Sequence, residues 1–137
     1  MSRVPADVRD QVRERAGGRC EYCRKPEGAG GSHPYHVDHI IALRHGGSDA
    51  LSNLAWACFH CNTGKGSDLA SFDAETQAVA LLYNPQTQRW EDHFALSGAL
   101  IVGLTASGRV TVRLLGMNSA NQVEIRQRLI NAGEWPP

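Results

Sequence analysis

The sequence predicts an α+β fold, with a strand, loop, strand and helix core clamped by four cysteines, an amphipathic helix before it and a strand and helix extension after it. Three observations predict this. The cysteines form two pairs of identical spacing, CEYC (Cys20, Cys23) and CFHC (Cys58, Cys61). Between the pairs, β-forming runs alternate with turn residues. At both ends of the chain, apolar residues recur at helical spacing.

A chain of 137 residues suffices for one domain with a real core and is too short for two ordinary ones. We therefore expect residues 1–72 to hold the N-terminal helix and the cysteine-clamped core, and residues 73–137 to pack on them as an extension of one unit. No apolar run approaches the ~18 residues needed to span a bilayer. The stretch Met1 to Gly17 is charged throughout and lacks the apolar segment of a secretory signal, so a soluble, cytoplasmic protein is expected. Lys plus Arg number 14 and Asp plus Glu number 14, so composition alone gives no sign of a polyanion partner. A DNA partner has to be met by local charge or by a metal ion. The stretch from Arg3 to Lys25 is locally positive, with Arg9, Arg13, Arg15, Arg19, Arg24 and Lys25 outnumbering its acids.

In a cytoplasmic chain, paired cysteines with two residues between them read as metal ligands rather than disulfides. That spacing turns both sulfurs of a knuckle onto one tetrahedral ion, and two knuckles close the shell as a structural zinc site of Cys20, Cys23, Cys58 and Cys61. The gap from Cys23 to Cys58 exceeds the ~15–20 residues of a simple zinc ribbon. A structured segment is therefore inserted between the knuckles.

The elements follow in order. PADVRDQVRERAGG places Pro5 in a first turn, Val8 and Val12 on one face and Gly17-Gly18 at the end, a short helix that delivers Cys20. PEGAGGSH is a glycine-rich loop. YHVDHIIAL reads as a strand, RHGGSDALSN as a long tip and LAWAC as the returning strand. NTGKGSDLASF is expected to begin a helix at Asn62. In the remainder, QAVALLYNPQTQRWEDHFAL reads as two strands around NPQT, and GALIVGLT as another. ASGRVTVRLLGM carries both strand and helix signals, and helix is favoured with Thr105 as its cap. SANQVEIRQRLINAG is an amphipathic helix with Val123, Ile125, Leu129 and Ile130 inward and Gly133 ending it. Trp90, His93 and Phe94 read as core residues.

The segment VDHIIALRHGGSDALSNLAWACFHCNTGKG, flanked by its cysteine pairs, resembles the HNH nuclease motif in its four-cysteine bacterial form. The resemblance covers Cys20 to Gly66 and rests on the first knuckle, DH, GGSDALSNL, the second knuckle and the N..KG pattern lying in register. It implies a ββα-metal (His-Me finger) fold that cleaves phosphodiester bonds with one divalent cation. His39 matches the general base and Asp38 the metal ligand before it. Asn53 matches the central asparagine, and Asn62 the last position, often histidine in the family, which supplies the second metal ligand.

The chemistry of these residue types agrees. Phosphodiester hydrolysis needs a base, an electrophile and a rigid frame. An imidazole titrating near ~6.5 takes a proton from water at neutral pH. Asp38 and Asn62 offer two hard oxygen ligands, which suits Mg²⁺ or Mn²⁺. Neighbours on a strand point to opposite faces, so Asp38 and His39 can share a site only where the strand distorts. Asn53 is expected to bridge backbone groups and hold the tip loop. His60 is the substitute for Asn62, although a residue between two knuckle cysteines faces outward. Lys65, Arg44 and His36 are expected to contact DNA phosphates, as is His45.

The function expected is a metal-dependent DNA endonuclease with structural zinc and catalytic Mg²⁺ or Mn²⁺. A catalytically silent, zinc-stapled nucleic-acid-binding module is the alternative, and the joint presence of Asp38, His39, Asn53 and Asn62 argues against it. A nuclease effector with a cognate inhibitor finds no support in the neutral net charge.

Overall fold

β1 (His36–His39) and β2 (Leu54–Ala57) pair antiparallel, with His36 opposite Ala57 and His39 opposite Leu54. They belong to a computed structural model that describes residues 4–31 and 33–137. Arg3, in the basic N-terminal stretch, and Ser32, in the glycine-rich loop, lie outside the described residues. β1 is shorter than YHVDHIIAL suggests because the chain leaves the ladder after His39. The Ile40 amide still donates to the Asn53 carbonyl at 2.8 Å, but Leu43–His45 and Leu51–Asn53 then form single 3-10 turns. β2 is buried along its whole length.

α1 (Ala6–Arg15) follows Pro5, buries Val12 and ends where Gly17 and Gly18 adopt positive φ. It braces the hairpin from one side. The Arg9 guanidinium lies 4.5 Å from the centroid of the Trp56 ring and donates to the Tyr35 carbonyl at 3.0 Å, while Arg15 donates to the carbonyls of Leu51 and Leu54.

α2 (Phe59–Lys65) starts earlier than expected. Its cap is Cys58, whose sulfur accepts the Cys61 amide, so Asn62 lies within the helix instead of opening it. The knuckle itself supplies the acceptor that an N-terminal Asn, Ser or Asp ordinarily provides.

Beyond α2 the expected continuation of the helix is replaced by β3 (Ala70–Asp73), which pairs with β4 (Ala78–Leu81). The two strands expected around NPQT therefore do not pair with each other: β4 turns back to β3. RWEDH contains the one-turn helix α3 (Trp90–His93), and β5 (Phe94–Ser97) pairs with β6 (Leu100–Gly103). The helical turn lets the Trp90 ring pack on Phe94, with centroids 4.9 Å apart, while its Nε1 donates to the Tyr22 carbonyl at 2.8 Å. α4 (Ala106–Leu114) is the helix favoured from sequence, with the Thr105 hydroxyl accepting the Gly108 amide at 3.0 Å. α5 (Ala120–Asn131) buries Ile125 and Leu129 as expected, and with them Gln122 and Arg126.

One buried cluster joins Val12, Leu54 and Trp56 to Trp90, Ile101 and Val110, so residues on both sides of position 72 share a core. β3 itself runs across the 72/73 division. The outlying β3–β4 hairpin is tied to α4 by Arg109, whose Nε and Nη2 donate to the two Asp73 oxygens at 3.0 Å each. Thr76 donates to the same carboxylate through its amide and hydroxyl.

These donors hold the Asp73 carboxyl well below the usual carboxylate range, Arg109 having the largest effect. A carboxyl depressed in the folded state contributes stability above its unfolded value of about 3.9, and that stability is lost as pH falls through the folded value. Asp73→Asn is expected to lower the urea midpoint at pH 7 and pH 5. The gap to wild type should narrow below about pH 4. A gap independent of pH assigns the loss to packing instead.

Candidate active site and metal centre

The Sγ atoms of Cys20, Cys23, Cys58 and Cys61 all lie within 4.8 Å of one another and all four residues are buried. The sulfurs of Cys23 and Cys58, from different knuckles, are 3.9 Å apart. Thiolates ~2.3 Å from a tetrahedral ion stand about 3.8 Å from each other, so the cluster already has the spacing of a four-thiolate metal site. The knuckles repeat the same bond: the Cys23 amide donates to the Cys20 sulfur at 3.5 Å and the Cys61 amide to the Cys58 sulfur at 3.3 Å.

The surroundings carry the matching charge. Lys25, 6% exposed, has its ammonium on the Gln122 side-chain oxygen at 2.9 Å, and Arg126, 1% exposed, donates to the carbonyls of Ala99 and Met117 and to Asn118 Oδ1. Among the described residues neither has a carboxylate in ion-pair contact, and Nη1 of Arg126 has no hydrogen-bond partner. Buried unpaired cations are costly. Burial pulls the Arg126 guanidinium down, whereas charge on Cys23, Cys61 and Cys58 opposes that shift. Lys25 adds to the neighbouring thiols in lowering the Cys58 thiol. A divalent ion with four thiolates is a dianion, which two buried cations neutralise. Without an ion, burial pushes the Cys20 thiol up while the neighbouring thiols hold Cys58 down, so a metal must displace protons to bind.

The inserted hairpin presents a second constellation. Asp38, His39 and Asn62 line one cavity of about 590 Å³, with Arg9, His36 and Ser67 also on its walls. Asp38 comes from β1, Asn62 from the middle of α2, and His39 is the last residue of β1. Strand alternation is kept, yet both Asp38 and His39 border the cavity because the strand ends there. Asp38 points inward and is 4% exposed. It accepts the Tyr22 hydroxyl at 2.7 Å and pairs with the Lys65 ammonium at 3.2 Å. Burial pushes its carboxyl up, opposed by Lys65 and Tyr22. His39 turns toward the tip loop, where its Nε2 meets Asp49 Oδ1 at 2.7 Å. Asn62 lines the same cavity, and its side chain has no hydrogen bond to another described residue.

Asn53 does the bridging expected of it. Its Oδ1 accepts the Ile41 amide at 2.9 Å, and its Nδ2 donates to the carbonyls of Ile41 at 2.9 Å and Ser48 at 2.8 Å. The loop closes so tightly that any side chain on Gly47 would collide with the Ile41 carbonyl.

Lys65 is a correction. It is 1% exposed and bonded to Asp38 and to the His39 carbonyl, so it does not reach out to a phosphate as a loop lysine would. The helix carries it inward because it lies three residues after Asn62, on the face of α2 turned toward Asp38. Arg44 and His45 are exposed on the 3-10 turn whose Leu43 rims the cavity. His36 lines the cavity wall. His60 faces away from it, with Nε2 on the Gly116 carbonyl at 2.9 Å. Sequence reasoning missed Asp49 and Tyr22. The signal for Asp49 was the need of any base histidine for a group on its second nitrogen; for Tyr22, only the enclosed position within CEYC.

An antiparallel hairpin and helix around a histidine, an aspartate and an asparagine, held between two cysteine knuckles, define a ββα-metal core. The HNH endonuclease family model matches residues 20–68. No curated protein and no solved structure matches the chain. No helix among the described residues is long and apolar enough to cross a membrane.

Metal removal tests the cysteine cluster. Cys58→Ser is expected to lower the thermal midpoint by well over 10 °C, since a structural ion of this kind contributes folding energy outright. Arg126→Leu should weaken metal retention against a chelator more than it lowers the stability of the metal-loaded form. Metal-free preparations of the wild type that melt where loaded ones do would remove the structural role.

Proposed function

We propose that the protein is an HNH endonuclease that hydrolyses phosphodiester bonds of DNA, with zinc at Cys20, Cys23, Cys58 and Cys61 and a catalytic Mg²⁺ or Mn²⁺ held by Asp38 and Asn62. The observation that carries this is the single cavity shared by Asp38, His39 and Asn62. A divalent ion held by Asp38 and Asn62 would supply charge stabilisation to the phosphate under attack.

The protein's own groups do the rest. His39 presents Nε2–H to Asp49 and keeps the lone pair on Nδ1, which takes a proton from the attacking water. The water oxygen bonds to phosphorus, the bond to the 3′ oxygen breaks, and that oxygen takes its proton from solvent. Asp49 fixes the ring and its tautomer, as a carboxylate behind a base histidine does. Asn53 fixes the loop that carries Asp49. Arg9 and His36 on the cavity wall and Arg44 beside its rim supply positive charge or donors for the phosphate backbone.

The ion pair between Asp38 and Lys65 favours a second reading, a silent zinc-stapled binding module, because it occupies the carboxylate. Nicking of supercoiled plasmid separates the two. The nuclease cleaves with Mg²⁺ or Mn²⁺ and not without added metal. His39→Ala is expected to reduce the rate ~100-fold or more with DNA affinity retained, and Asp49→Ala to reduce it about tenfold or more with KM little changed. A wild type inert under every metal, yet binding DNA, establishes the silent module.

A metal series tests the ligand set. Asn62→His should widen activity toward Ni²⁺ and Co²⁺, following ligand softness. An unchanged metal profile removes Asn62 from the ligands.

A further inference from the structure

We propose that Lys65 is a fixed counter-cation of Asp38 that trades affinity for the free divalent ion against affinity for the nucleic-acid phosphate, so that the cavity loads its ion together with substrate rather than before it. This rests on the nuclease reading above and adds to it the order of loading.

The geometry is specific. Lys65 Nζ lies 3.3 Å from Asp38 Oδ1, 3.2 Å from Oδ2 and 3.1 Å from the His39 carbonyl. Both side chains are almost wholly enclosed, at 1% and 5% exposure. Asp38 is the only acid in ion-pair contact with Lys65 among the described residues. The remaining cavity ligand, Asn62, is neutral. With Lys65 in place, the ligand set therefore offers a divalent ion no net negative charge. The ammonium also repels that ion directly, in an interior where salt screens little. A DNA phosphate brings the missing negative charge. It meets a carboxylate already neutralised, so it enters without the repulsion that a bare Asp38 would exert. Lys65 acts through Asp38 and through the field in the cavity, and is a positioning residue rather than a catalytic one.

Neutralisation predicts effects of opposite sign on the two ligands, which a merely structural lysine does not produce. In zinc-loaded protein, Mn²⁺ affinity is read by electron paramagnetic resonance without DNA. DNA affinity is read by fluorescence anisotropy with no Mn²⁺ added. Lys65→Met should bind Mn²⁺ on the order of tenfold more tightly and DNA severalfold more weakly. Tyr22→Phe removes a hydrogen bond from the same carboxylate without changing charge, and should alter both affinities by no more than about twofold. Asp38→Asn leaves Lys65 unopposed; it should lose Mn²⁺ and bind DNA more tightly.

Lys65→Met with unchanged or weaker Mn²⁺ binding overturns the proposal. So does a loss of both affinities together. If Lys65→Met does not fold, Asp38→Asn decides: weaker or unchanged DNA binding overturns it. A wild type that cleaves DNA while Lys65→Met keeps its Mn²⁺ affinity sinks the role of Lys65 alone. Absence of Mn²⁺ binding and of cleavage in the wild type sinks the nuclease reading and this inference together.

Discussion

The convergence of four cysteine sulfurs within 4.8 Å is the constraint from which the rest of the molecule follows. Two four-residue strands are too little structure to stand alone in water. The knuckles hold the two ends of the inserted segment, so the hairpin has to form between fixed points. The same sulfurs start the next element, since Cys58 caps α2, which carries Lys65 to Asp38 and Asn62 to the cavity that Asp38 lines. One cluster thus sets both the frame and the direction of the site it frames.

Charge is arranged by the same logic on both sides of the hairpin. Around the cysteines, Lys25 and Arg126 lie buried with no carboxylate in ion-pair contact among the described residues, and their charges interact favourably with the cysteine sulfurs. This gives the C-terminal extension a part in the core, because Arg126 and Gln122 both come from α5. Beneath the cavity, Asp38 is buried against Lys65 and Tyr22. In each place, removing one member strands the other in a medium of low polarity. In both centres a single change that leaves a charge unpaired costs stability for the same physical reason.

The parts legible in the sequence were those governed by spacing. The cysteine pairs, the hairpin between them, Asn53 as a loop bridge and the capped helix after Thr105 all follow from local patterns. What escaped was set by tertiary partners. Asn62 fell inside α2 because a cysteine sulfur took the capping role. Lys65 read as a loop charge and proved to be enclosed, since nothing local announces a partner 27 positions earlier in the chain. Asp49 was visible as a turn residue, but its approach to His39 depends on how the tip loop folds back. In the extension, β3 and α3 were missed because Phe72 and Trp90 suit either a strand or a helix until their neighbours are known.

Because the base of the hairpin is tied to the cysteines and its tip is tied mainly through Asn53, the two ends of one small motif have different rigidity. The strands between Cys23 and Cys58 can open fully only when the cysteine frame opens. The tip from Ile41 to Leu51 is held by hydrogen bonds instead: those of the Asn53 amide, the Arg15 bond to the Leu51 carbonyl and the contact of Asp49 with His39. Amide protons of β2 should therefore exchange with solvent on the timescale of global unfolding, and that of Ile41 much sooner, through a local excursion. Asp49 rides on that segment. The orientation of His39 is then governed by the softest part of an otherwise stiff unit, where a ligand lying across the tip gains most by holding it still.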